Sequence, residues 1–219
     1  MTKMLCPSIY SVNFDYLKDS VLALDATQSD IFHIDFMDGN YVQNFALSFQ
    51  DLETVRRHTK KLVDVHLMIE NPGKYVEMFA EKGVDIIYIH PDSERHAART
   101  LGRIRSLGKQ AGIAVNPGTS LSSLDEFWPM VDYVMMMGVN LGFGGQKFID
   151  TMERKIQWVC AIRSDYNFKV FLDGGLNFDS IERLKKLDLD GFVVGHDFLH
   201  QRDICEYGCI IDRIRKIID

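Results

Sequence analysis

The sequence predicts an α/β fold, a closed (β/α)8 TIM barrel in which eight parallel strands are ringed by helices. Three observations carry this. Short apolar runs bounded by turn residues alternate strictly with amphipathic stretches of helical spacing, the alternation repeats eight times, and 219 residues suit one such barrel. A single barrel domain over residues 1–219 is expected, since no stretch reads as a linker or low-complexity tract. An open doubly wound sheet uses the same local pattern and stays as the alternative.

In chain order, the strand candidates are residues 4–9, 31–35, 62–67, 85–89, 111–115, 133–136, 169–172 and 191–194. Each is followed by a helical pattern, over 14–26, 49–58, 73–82, 95–107, 121–128, 150–163, 178–187 and 203–218. Asn13, Pro72 and Asn177 stand where helix-starting residues are favoured. Trp128 and Trp158 fall on apolar helical faces and are expected in the core, as are Met135 and Met136 on a strand.

The chain carries 25 basic and 31 acidic side chains, a net charge of −6, without a basic run. Nucleic acid and anionic membrane are therefore not its expected partners, and an anionic substrate has to be held by local groups. No segment approaches the roughly 20 apolar residues of a membrane span, and Met1 to Leu5 lack a secretory layout, so a cytoplasmic location is expected. Cys6, Cys160, Cys205 and Cys209 are too scattered for a disulfide framework and read as reduced structural thiols; a metal on Cys205 and Cys209 has only a weak spacing signal.

Enzymes on this barrel place their chemistry at the C-terminal strand ends, where polar residues of this chain cluster. His33 and Asp35 lie two apart on a strand and so face the same side, the barrel interior; Asp64 and His66 repeat the pattern, and Asp173 closes another strand. Two imidazoles and two carboxylates converging at one end suit a divalent first-row ion. The same residues also read as hydrogen-bonded core histidines with ion-paired or capping aspartates. Glycine-dense loops follow the last three strands: Gly142, Gly144 and Gly145, then Gly174 and Gly175, then Gly195 before His196. Their backbone N–H groups can approach a phosphate closely whatever the net charge, although glycine loops also serve as plain turns. Met37, Met68 and Met137 follow strands and either collar the same mouth or fill core space.

These residues sit in motifs that resemble the ribulose-phosphate 3-epimerase family: Cys6-Pro7-Ser8, His33-Ile34-Asp35-Phe36-Met37-Asp38-Gly39, Asp64-Val65-His66-Leu67-Met68-Ile69-Glu70-Asn71-Pro72, His90-Pro91, Asn116-Pro117, the loop from Val139 to Gln146, and Asp173-Gly174-Gly175. The resemblance runs in order through nearly the whole chain. It implies a barrel of the ribulose-phosphate-binding type that inverts carbon 3 of a ketose phosphate, D-ribulose 5-phosphate to D-xylulose 5-phosphate. It further implies one divalent metal ion (zinc, iron(II), manganese or cobalt) on His33, Asp35, His66 and Asp173, with Asp35 and Asp173 as the acid/base pair. By the same resemblance Ser8, His66, Met37, Met68 and Met137 surround the reacting centre. Gly142, Phe143, Gly144, Gly145, Gly174, Gly175, Gly195 and His196 form the substrate and phosphate loops, and the assembly is a homo-oligomer, a dimer or hexamer.

The chemistry agrees with this inventory. Epimerisation next to a ketone removes a proton from carbon 3 to give an enediolate and returns one to the opposite face, which needs two acid/base groups on opposite sides. The chain departs from the family pattern at His196 and Gly138, where small hydroxyl residues are usual, at Leu141, where proline is usual, and at Ser48-Phe49, where Gly-Pro is common. These positions leave a D-allulose 6-phosphate 3-epimerase as the rival reading. Decarboxylases of related barrels carry Asp-x-Lys-x-x-Asp, whereas this chain has His66 for the lysine and Ile69 for the last aspartate. A non-catalytic phosphosugar-binding barrel is a third, separate reading.

Overall fold

A computed structural model describes residues 2–219. Its strands are β1 (Met4–Pro7), β2 (Ile31–Asp38), β3 (Phe45–Ala46), β4 (Leu62–Met68), β5 (Ile86–Ile89), β6 (Gln110–Val115), β7 (Tyr133–Met137), β8 (Lys169–Asp173) and β9 (Gly191–Val194). The helices are α1 (Leu17–Asp25), α2 (Phe49–His58), α3 (Val76–Glu81), α4 (Ala97–Ser106), α5 (Met152–Tyr166), α6 (Phe178–Leu184), α7 (His196–Leu199) and α8 (Tyr207–Ile218). The sheet runs β1-β9-β8-β7-β6-β5-β4-β2-β3, parallel throughout except for β3. A parallel bridge from Ser8 to His33, and the Asp30 N–H donated to the Leu5 carbonyl at 2.9 Å, join β1 to β2 and close the barrel. That closure removes the open-sheet alternative.

Alternation along each strand divides the apolar side chains in two. Ile87, Ile89, Val134 and Met136 join the large cluster between strands and helices, while Ile86, Tyr88, Tyr133, Met135 and Phe171 pack together on the opposite, inner face. The interior is filled by rings made possible by small neighbours. A Cβ at Gly112 would meet the Tyr88 ring at 2.4 Å, and one at Gly191 would meet Phe171 at 2.4 Å.

The end of the barrel away from the catalytic strand ends is fastened by one device used four times among the described residues. Asp30, Asp85, Asp132 and Asp190 each stand one residue before a strand. Their carboxylates accept the backbone N–H of Leu5, Val63, Ala111 and Val170 on the preceding parallel strand, at 2.7, 2.9, 2.8 and 2.8 Å. Each aspartate N–H returns a bond to the carbonyl of that same residue. An arginine from the last turn of a helix then pairs with each carboxylate: Arg215 of α8 with Asp30, Arg56 of α2 with Asp85, Arg105 of α4 with Asp132 and Arg163 of α5 with Asp190. A cation there also suits the negative end of the helix dipole. Asp190→Ala strips the Val170 N–H and Arg163 of their acceptor together, and is expected to cost about 1–3 kcal/mol. The urea midpoint should fall while activity per folded molecule is kept; an unchanged midpoint would show the pairing to be ornamental.

Several local expectations need correction. The segment 121–128 is no α-helix but two 3-10 turns, Leu121–Leu124 and Trp128–Met130. Ser123 Oγ bonds the Ser120 carbonyl at 2.7 Å in competition with the helix, and Pro129 offers no N–H to continue one. Trp158 is 43% exposed, on the outer side of α5, whereas Trp128 is buried as expected. Cys205 and Cys209 are exposed rather than structural, and all four thiols are free. Asn13 and Asn177 do cap helical turns, and Pro72 opens one. Ser48 has a structural reason: it caps α2 in a reciprocal pair with Asp51, and Phe49 then packs 4.9 Å from Phe79.

Candidate active site

Strand ends bring His33, Asp35, His66 and Asp173 together, with one donor atom from each lying within 4.8 Å of the others. His33 and Asp35 come from β2, His66 from β4 and Asp173 from the end of β8. His33 Nε2 and His66 Nδ1 both lie 3.2 Å from Asp35 Oδ1, and 4.0 and 3.8 Å from Asp173 Oδ2. Both histidines are fully buried, and the Asp35 and Asp173 side chains are 9% and 18% exposed. Two carboxylates so close in a poorly hydrated place are costly unless a cation joins them. The donor set, two imidazole nitrogens and two carboxylate oxygens, fits a divalent ion of the zinc, manganese, cobalt or iron(II) kind.

The proton affinities of the two aspartates diverge. Burial pushes both upward, but the charge and hydrogen bond of His33, together with His66, hold Asp35 well below the usual carboxylate range. Asp173 lacks such close donors; burial, with the Asp35 charge adding to it, prevails over the pull of His33 and raises it to about 6. Ser8 donates its hydroxyl to Asp35 Oδ2 at 2.7 Å and so fixes the carboxylate's second oxygen.

Each histidine is oriented from behind. His33 Nδ1 stands 2.6 Å from Asp64 Oδ1, an ion-pair contact out of linear hydrogen-bond alignment, and both groups are wholly buried. Burial alone lowers the proton affinity of His33, yet Asp64 and Asp35 outweigh it and hold that affinity well above the usual histidine value. His66 Nε2 is 2.7 Å from His90 Nε2. For His66 to present a lone pair at Nδ1, its proton must sit on Nε2 and be donated to His90, which burial and the neighbouring His66 keep neutral. Tyr41 packs over His90 with ring centroids 5.2 Å apart and is itself held by Asp92 and Asn116, at 2.8 Å each.

Above this cluster a cavity of about 650 Å³, counted to its open mouth, is lined by Ser8, Asp35, Met37, Met68, Met137, Gly142, Phe143, Gly144, Gly145, Asp173, Gly174, Gly175, Gly195 and His196. Every site residue expected from the sequence lines it, except His33 and His66, which are fully buried. Met37 and Met68 pack with Val42 and Leu141, so the leucine completes an apolar collar. Gly175 must lack a side chain, because it has a φ of +72° and a Cβ would meet the Phe148 backbone at 2.5 Å. Gln146 ties the glycine loop internally, donating to the Asn140 and Phe143 carbonyls at 2.6 and 2.8 Å, and Asn44 donates to the Gly142 carbonyl at 2.6 Å.

Sequence reasoning gave no role to Asp64, His90, Tyr41, Asn44 or Gln146. The strand period alone signalled Asp64, two residues from His66 and inward-facing; the others depend on contacts 24 or more residues distant, or on loop geometry. Cys205 and Cys209 join no group of three or more ligand-type side chains among the described residues.

Comparison with known proteins decides the family. The model of the ribulose-phosphate 3 epimerase family matches residues 4–199. Ribulose-phosphate 3-epimerase of Aquifex aeolicus is 37% identical over 204 residues, covering 92% of each chain. The chain belongs to the ribulose-phosphate 3-epimerase family. It shares that membership with the Synechocystis ribulose-phosphate 3-epimerase, 38% identical over 88% of this chain and 85% of that one. These relatives are named as epimerases, so this epimerase-family chain is an isomerase. Solved structures extend the likeness at the level of fold alone: 3-keto-L-gulonate-6-phosphate decarboxylase from Vibrio cholerae superposes with a TM-score of 0.73 at 14% identity, over 100% of this chain and 98% of that one.

Proposed function

We propose that this protein interconverts D-ribulose 5-phosphate and D-xylulose 5-phosphate by inverting carbon 3. The observation that carries this is the pair of carboxylates, Asp35 and Asp173, brought from the non-adjacent strands β2 and β8 into one four-donor cluster and both lining the cavity. One aspartate removes the carbon 3 proton from one face of the substrate, and the other delivers a proton to the opposite face. His33, Asp35, His66 and Asp173 hold a divalent ion, which when bound supplies Lewis-acid stabilisation of the negative charge on the substrate oxygens. Met37, Met68 and Met137 keep water away from the reacting carbon. The glycines at 142, 144, 145, 174, 175 and 195, with Phe143 and His196, receive the phosphate end through backbone N–H groups. The relatives' family supports a phosphosugar substrate. A homo-oligomer, dimer or hexamer, and a cytoplasmic location complete the proposal; no helix among the described residues is long and apolar enough to cross a membrane.

D-Allulose 6-phosphate is the second substrate reading, favoured by two departures from the family pattern, Leu141 and His196, that both line the cavity. NMR in deuterated water tests both, with each ketose offered to metal-reloaded protein and to a chelated control. Metal-dependent deuterium entry at carbon 3 of the pentulose phosphate is expected. Entry into the hexulose phosphate alone would move the substrate, and entry into neither would leave a binding-only barrel.

A further inference from the structure

The side chain of His196 has a place of its own at the phosphate end. Its imidazole packs against the glycine loop, so close that a Cβ on Gly144 would meet Cδ2 at 3.0 Å and one on Gly145 would meet Cε1 at 2.9 Å and Nε2 at 3.2 Å. On its other side the ring stacks on His200, with centroids 4.6 Å apart and planes 19° apart. Nδ1 stands 3.2 Å from Asp197 Oδ1. His196 and Asp197 both line the cavity.

The tautomer follows from the partner. A carboxylate only accepts hydrogen bonds, so Nδ1 must carry the proton that it shares with Asp197. In the neutral ring Nε2 is then a bare lone pair, and it meets the lone pairs of a phosphate oxygen repulsively. Only the imidazolium donates from both nitrogens. The other charged or titratable groups around the ring are few. Asp197 stands at Nδ1, His200 stacks on the ring, residues 141–146 of the glycine loop bear no charge, and Asp35 and Asp173 lie deeper in the cavity. A dianion arriving at the cup adds the missing attraction.

We infer that His196 grips the phosphoryl group as an imidazolium, so that binding of a dianionic ligand draws a proton onto its ring. This rests on the phosphoketose reading of the cavity and adds to it a proton-coupled, side-chain contact for the phosphate. Imidazole is the side chain whose charge ordinarily changes between about pH 5 and 8, so the coupling acts near neutrality.

Calorimetric titration of the metal-loaded protein with sulfate, at pH 7.5 in two buffers of different ionisation enthalpy, tests it. Sulfate keeps its charge across that range, so any proton taken up belongs to the protein. A substantial fraction of a proton per sulfate is expected, together with a KM for the ketose phosphate that rises between pH 7.5 and 9, by at most tenfold per pH unit. In His196→Gln the amide still donates but does not titrate: uptake should vanish and the KM profile flatten. Sulfate binding without proton uptake, or uptake that survives in His196→Gln, overturns the inference while turnover of the ketose phosphate leaves the functional reading standing. Absence of both sulfate binding and turnover overturns the two together.

Discussion

Asp173→Asn is expected to abolish epimerisation, lowering kcat by about 10²–10⁴-fold, while leaving the barrel folded. The amide keeps a carbonyl oxygen where Asp173 Oδ2 stands, 4.0 and 3.8 Å from the two histidine nitrogens, but it takes up and releases no proton at carbon 3. The diagnostic result is isotopic. With one aspartate left, the carbon 3 proton of one epimer can still be removed and replaced from the same face, so deuterium should enter that epimer without inversion. The other epimer should neither exchange nor invert. Asp35→Asn should show the mirror pattern, with exchange surviving only in the opposite epimer. Inversion at near the parent rate in Asp173→Asn, or exchange lost equally from both epimers in both variants with metal still bound, would refute two aspartates acting on opposite faces.

Legibility in the sequence followed the range of the physics involved. Strands β4 to β9 and the placement of His33, Asp35, His66 and Asp173 were legible because a period of two puts alternate residues on one face, and strand ends carry the chemistry. The closure of β1 on β2 through Ser8 and His33 had no local signal. Nor did β3, two residues that pair with Met37 and Asp38 after a turn held by Asp38. The 3-10 turns at Leu121–Leu124 were hidden because apolar spacing suits a helix, while the serine side chains that compete with it act through hydrogen bonds no periodicity reports. The four aspartate pairings were readable in principle. Arg56, Arg105 and Arg163 each precede their aspartate by 27 to 29 residues, at a helix end and one residue before a strand.

The two ends of the barrel divide the work. At the end of Asp30, Asp85, Asp132 and Asp190, every strand-opening carboxylate is matched to a backbone N–H and an arginine, so charge there is spent on closing the sheet. At the other end, Asp35 and Asp173 face imidazoles and each other, with no arginine or lysine among the described residues in ion-pair reach. A surplus of shielded anionic oxygen at that end suits a site that takes a cation and moves protons.

The buried Asp64 carries the second large effect. Asp64→Leu is expected to raise the metal dissociation constant by about 10–100-fold, because His33 Nδ1 loses the anion that holds its proton and leaves Nε2 free to face the cluster. Asp64→Asn keeps an acceptor but not the charge, so its loss should be smaller, and the order parent, Asn, Leu is the signature of tautomer control. The metal-free protein gives the control. Leucine leaves His33 without its buried partner, so the metal-free variant should lose stability as well, and metal affinity is read on protein shown to be folded. His90→Leu should weaken binding through His66 in the same way, with His90→Gln restoring part of it by offering an acceptor. Competition against a chromophoric chelator reads all four variants. Equal affinity in Asp64→Leu and the parent would mean that packing alone, rather than the carboxylate behind it, orients His33.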